Sequence, residues 1–285
     1  MAEVVTTVVR INDVATLVRQ SGPPHSDEAV VFVHGNPGSS EDFDELLPYI
    51  GDFARVLAPD MPGFGESERR TDFAYTVDGF ARHVDAILRH FGVVRAHLVL
   101  HDFGGPWGLA WAAAHADRVR SLVLINVGVL PGYRYHKYAQ LWRIPLLGEL
   151  AIFATTRALF KAALNRDNPR PLPETILNRM FDQWDRGTRR AVLSMYRATS
   201  AAEVSSVKQG EMLAPYKLPA LVVWGEGDPN IPVHYADVQK KFFDADIKKI
   251  DGAGHWPMLD DPERIRALVL PFLRARYDAG VGKPL

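Results

Sequence analysis

Residues 96–106 read AHLVLHDFGGP. The run up to Leu100 is mostly apolar with little alternation, the pattern of a strand buried on both faces of a parallel sheet. It passes directly into His101-Asp102-Phe103-Gly104-Gly105-Pro106 and then a helical pattern over residues 105–114. A strand that turns this sharply into a helix lifts the residue at the bend above the sheet, and small residues just after it let the helix pack closely. The residue at the bend is Asp102. Taken alone, it has a plainer reading as the N-cap of the following helix.

Outward from this turn the same strand-turn-helix rhythm repeats. Apolar, β-branched runs occur at residues 29–34 (AVVFVH), 54–58 and 121–125, and helical patterns at 40–50 and 77–91. Residues 4–19 place Asn12-Asp13 between two Val-rich runs, which predicts an antiparallel hairpin at the sheet edge. The rhythm stops after Asn126. Residues 129–214 carry Pro-punctuated helical patterns and no strand, strands resume at 220–224 and 246–250, and a helix over 262–276 closes the chain. The expected fold is α/β, a mostly parallel, doubly wound sheet with one helical insertion. Its parts are a core over residues 1–128, a helical lid over 129–214 and the rest of the core over 215–285.

Composition narrows the function. The 285 residues hold 33 Lys+Arg against 34 Asp+Glu, a net charge of -1, so no basic face for nucleic acid is expected. There are no cysteines, which excludes disulfides, thiolate nucleophiles and zinc-cysteine sites. The first residues lack a basic segment followed by an apolar one, and no run is long and apolar enough to span a bilayer, so a cytoplasmic protein is expected.

In open α/β sheets, ligands bind at the carboxyl ends of the strands. Two further strand ends present chemistry there. Residues 220–224 lead into Gly225-Glu226-Gly227-Asp228, and residues 246–250 into Gly252-Ala253-Gly254-His255. The order Asp102, Asp228, His255 is the nucleophile, acid, histidine order of α/β hydrolases. No G-x-S-x-G occurs, so a serine nucleophile has no candidate. With His34-Gly35-Asn36-Pro37 and Asp60-Met61-Pro62-Gly63-Phe64-Gly65-Glu66-Ser67, the chain resembles the α/β-hydrolase superfamily over nearly its whole length. Asp102 at the nucleophile position narrows the resemblance to epoxide hydrolases and, next, haloalkane dehalogenases.

That resemblance implies a mechanism. A carboxylate suits displacement at a saturated carbon, leaving an alkyl ester on Asp102. Water activated by His255, itself oriented by Asp228, then cleaves the ester. The backbone N–H groups of Phe103 and Asn36 are expected to hold the oxyanion. Epoxide hydrolases protonate the departing oxygen from two lid side chains. Tyr196, in Ser194-Met195-Tyr196-Arg197, is the first expected donor and Tyr138 the favoured second, with Tyr133, Tyr135 and His136 as alternatives. Dehalogenases instead carry Trp after the nucleophile, where this chain has Phe103, although Asn36 matches their asparagine and Leu100 departs from the small residue usual in epoxide hydrolases. Trp142, Phe153, Phe160 and Trp184 in the lid predict an apolar pocket for a small apolar epoxide, with water as co-substrate and no cofactor or metal. A third reading is a ligand-binding receptor of the same fold with little turnover.

Overall fold

The structure is a computed structural model, which describes residues 1–166 and 168–280. Eight strands form one sheet: β1 (Val4–Ile11), β2 (Val14–Ser21), β3 (Glu28–Val33), β4 (Arg55–Pro59), β5 (Arg95–His101), β6 (Val119–Ile125), β7 (Pro219–Gly225) and β8 (Asp244–Ile250). Their spatial order is β1-β2-β4-β3-β5-β6-β7-β8. The strands β1 and β2 form the expected edge hairpin, with Ile11 paired to Val14 across a turn in which Asn12 and Asp13 both take positive φ. Asn and Asp tolerate that left-handed region better than other side chains, which is why this dipeptide makes a two-residue turn. β2 also pairs antiparallel with β4, and the strands from β4 to β8 are mutually parallel.

β3, with no alternation in its sequence, is buried at every position. The central strands therefore read as continuous apolar runs because helices cover both of their faces. Helix Val77–His90 begins at Thr76, whose hydroxyl accepts the Gly79 N–H at 3.0 Å. It packs on helix Gly104–Ala114 through Phe80 and Trp107, whose rings stack 3.9 Å apart. The last helix, Pro262–Gly280, is tied to the first parallel strand by the Tyr277 hydroxyl, 3.2 Å from the Glu28 carbonyl that it donates to.

One predicted helix is divided. Residues 40–50 form a 3-10 turn, Ser40–Phe43, and a separate short helix, Leu47–Gly51. Pro48 sits in the first turn of the second piece, where its missing N–H costs nothing; inside one long helix it would lose a hydrogen bond to Asp44. Between β6 and β7 lie only helices among the described residues, from Lys137–Trp142 to Val207–Leu213. No helix among the described residues is long and apolar enough to cross a membrane.

Candidate active site

β5 ends at His101, and the chain bends at Asp102 with φ of +50 before helix Gly104–Ala114 begins. A non-glycine residue held there costs about 1–3 kcal/mol, a strain that the surrounding packing must impose. Gly104 shows how tight that packing is: a methyl at its Cα would lie 2.0 Å from the Val33 carbonyl oxygen of β3. Asp102 is not an N-cap. The cap position is Phe103, and no side chain caps the helix. Instead Asp102 Oδ1 accepts the Asn36 N–H at 2.7 Å, and Oδ2 lies 3.5 Å from His255 Nε2.

The other side of the His255 ring faces Asp228, with Nδ1 to Oδ2 at 2.8 Å. Asp228 is fixed in turn: its Oδ1 accepts the N–H groups of Asn230 and Ile231, and its Oδ2 accepts Asn126 Nδ2 at 2.6 Å. Asn126, at the end of β6 with φ of +48, also donates to the Gly254 carbonyl and accepts the Gly225 N–H. It thus ties three strand ends together. The rule that pointed to Asp102 and Asp228, a polar residue where a parallel strand ends, applies equally to Asn126.

Charge follows from this geometry. Burial works against a cationic His255, but the charge of Asp228 and hydrogen bonding with both carboxylates more than offset it, and the ring's pKa is raised to about 10. Burial likewise opposes ionisation of Asp102, yet the His255 contact and the Asn36 N–H hold its carboxyl down to about 2. The resting pair is an aspartate and an imidazolium. The neighbouring His101 is driven down to about 4 chiefly by burial, so its neutral ring donates from Nε2 to the His255 carbonyl at 2.8 Å.

Above Asp102 lies a cavity of about 370 Å³. Phe103, Trp142, Phe160, Trp184 and Trp256 give it apolar walls, and Asn36, Asp102 and His255 line it at the strand ends. Phe153 is not in its lining and is partly exposed. Tyr196 is buried in the wall, its ring edge-on to Phe103 at 5.1 Å. Burial first, and then the nearby Asp102 charge, push its phenol well above the usual range, so it keeps its proton.

The other expected donors differ in their placement. Tyr135 is outside the lining and donates its hydroxyl to the Thr199 carbonyl at 3.0 Å. Tyr138 lines the cavity, but its hydroxyl is engaged by the Arg166 guanidinium. Tyr133 lines the cavity, with its phenol pushed up by burial and by Asp102. His136 lies in the lining with Nε2 3.2 Å from the Tyr196 hydroxyl oxygen. Its Nδ1 accepts the Ala139 N–H as the cap of helix Lys137–Trp142.

Comparison with known proteins agrees with the fold. A family model described as alpha/beta hydrolase fold matches residues 28–262. A 2-hydroxy-6-oxononadienedioate/2-hydroxy-6-oxononatrienedioate hydrolase of Burkholderia vietnamiensis is 27% identical over 264 residues, covering 87% of this chain and 88% of that protein. Haloalkane dehalogenase 2 of Mycobacterium bovis is 27% identical over 259 residues, 88% of this chain and 87% of its own. Among solved structures, ligand-free epoxide hydrolase CorEH superposes with a TM-score of 0.81 at 16% identity, over 96% of this chain and 99% of that one. With the elbow, the sheet order and the match over residues 28–262 in agreement, the chain belongs to the α/β hydrolase fold family and is a hydrolase.

Proposed function

We propose that the protein is an epoxide hydrolase that opens a small apolar epoxide to a vicinal diol through an alkyl ester on Asp102. The observation that carries this reading is the pairing in the cavity wall of the Tyr196 hydroxyl, which keeps its proton, with His136 Nε2 3.2 Å away. One substrate oxygen can accept from both. His136 takes the second-donor role expected of Tyr138, whose hydroxyl is engaged by Arg166.

The proton balance favours the same reading. Asp102 attacks an epoxide carbon, the C–O bond breaks, and the new alkoxide needs one proton, which Tyr196 or His136 delivers. The site holds one to replace it, on His255. Esterification removes the Asp102 charge that helps hold this proton, so the ring's affinity falls and it becomes neutral. Neutral His255 then takes a proton from water as the hydroxide attacks the ester carbonyl, with the Asn36 and Phe103 N–H groups at the oxyanion. The diol leaves, and aspartate and imidazolium return. No net proton is produced.

Haloalkane displacement consumes no such proton. The proton that His255 sheds on esterification would then have nothing in the site to take it and would leave for solvent, so a net proton would be produced. Halide binding also needs N–H donors. Trp184 and Trp256 line the cavity with their indole N–H groups shut off from its open space, so among the lining groups the Asn36 side chain and the Trp142 indole are the candidates for that role. The similarity to haloalkane dehalogenase 2 keeps this second reading in view. A paired assay on an aryl epoxide and a 1-haloalkane tests both. Diol without halide is expected; halide without diol would transfer the reading to dehalogenation, and stoichiometric binding without turnover of either would mark a receptor.

A further inference from the structure

Both glycine-rich turns that carry the acid and the histidine are approached from outside by one short piece of the helical segment, residues 168–170. A methyl at Gly254 would lie 1.6 Å from Asn168 Oδ1, and one at Gly227 would lie 2.1 Å from the Pro169 ring. The contact is polar as well as close. Asn168, nine-tenths buried, accepts the His255 N–H on Oδ1 at 3.1 Å, and its Nδ2 donates to Asp260 at 2.9 Å and to the Arg170 carbonyl at 2.8 Å. Asp260 completes the ring by accepting the Gly254 N–H at 2.7 Å. The His255 backbone is therefore held on two sides, at its N–H by Asn168 and at its carbonyl by His101.

We infer that Asn168 is a positioning residue for His255, acting with Asp260 as a clasp by which the helical segment sets the imidazole between Asp102 and Asp228. Asn168 touches none of the reacting atoms. Its effect passes through the turn: with the Gly254 and His255 amides fixed, the ring holds Nδ1 2.8 Å from Asp228 and Nε2 3.5 Å from Asp102. A shift of about 1 Å at a group this closely aligned is enough to cost roughly a hundredfold in rate. Asp102 sits on a separate element and is held by the Asn36 N–H as well as by His255, so attack is expected to respond less than ester cleavage.

The test has two halves, of which the kinetic one rests on the ester mechanism and the spectroscopic one does not. In Asn168→Ala, the His255 imidazole titration, followed by NMR on the full chain, is expected to move down by roughly one pH unit or more towards the free imidazole value. In single turnover with an aryl epoxide, ester formation is expected to stay near wild type while ester cleavage slows roughly a hundredfold, with the adduct visible by intact mass. The exchange Asn168→Asp with Asp260→Asn gives up the bond to the Arg170 carbonyl but keeps the acceptor for His255 and a donor-acceptor pair between the two side chains, and is expected to restore both readouts in large part. An unchanged His255 titration in Asn168→Ala overturns the inference, as does an equal loss of both half-reactions that the exchange does not restore. A wild-type protein that never forms the ester overturns the proposed activity instead, and the titration still decides the role of Asn168.

Discussion

Tyr196 and His136 are the residues on which the choice of reaction rests. If they share the departing oxygen, Tyr196→Phe slows ester formation from an epoxide by roughly a hundredfold or more, the usual worth of a positioned acid, and leaves ester cleavage nearly unchanged. His136→Gln is expected to act on the same step, and Tyr138→Phe to leave it near wild type; stopped-flow single-turnover rates separate the three. Equal loss in Tyr138→Phe and His136→Gln would return the second donor to Tyr138. The difference between these two was not legible in the sequence for a physical reason. Helical spacing puts Tyr135 and Tyr138 on one face, but helix Lys137–Trp142 starts after His136, so the spacing does not apply across that point. A histidine at an N-cap is itself a weak signal, since Ser, Thr, Asp and Asn dominate there.

The strand-turn-helix element is where most of the fold could be read. Parallel strands buried on both faces read as mostly apolar runs, and β3 to β7 each carry one, with polar residues such as Glu28, Arg55, His97 and Arg120 in or beside it. Asp102 and Asp228 lie at strand ends and His255 five residues past β8, so the same pattern that locates strands locates these side chains. What sequence does not carry is contact between distant pieces. Asn126 stands at a strand end and was open to the same rule, whereas Asn168 reaches the His255 turn from a segment with no periodic signal of its own. The division of residues 40–50 into two pieces turns on Pro48 alone. The elbow itself gives the prediction at this scale. Gly104→Ala drives a methyl into the Val33 carbonyl, so helix Gly104–Ala114 has to retreat from β3. Overpacking of this kind costs about 1–3 kcal/mol. Urea unfolding is expected to show that loss, with ester formation slowed more than ester cleavage because Asp102 rides on the same bend. Wild-type stability in this variant would mean that the strand and helix are packed less closely than the 2.0 Å approach implies.

Across the whole molecule, the buried ionisable groups set how stability depends on pH, and their signs differ. His255 binds its proton more tightly when folded, with a pKa of about 10 against an ordinary 6.5. It therefore contributes stability that is fully present below about pH 6.5 and is lost as the pH rises through 10. Asp102, held at about 2 against 3.8, contributes stability present above its unfolded value and lost as pH falls through 2. Asp42 runs the other way for a carboxyl: burial raises it to about 6 while Arg179, 2.5 Å away on helix Glu174–Gln183, pulls it back down. Its contribution is present below 3.8 and lost as pH rises through 6. Between pH 7 and 10 only His255 among these three changes charge. The melting temperature of the wild type is therefore expected to fall steadily across that window. In Asp102→Asn one of the two carboxylates facing the ring loses its charge, the proton on His255 is held less tightly, and the total fall is expected to be smaller and to level off at lower pH. Circular-dichroism melts of both proteins at pH 7, 8, 9 and 10 measure the difference. Coincident, flat profiles would mean that His255 is neutral in the resting protein, in which case the proton for the opened epoxide has to come from solvent rather than from the site.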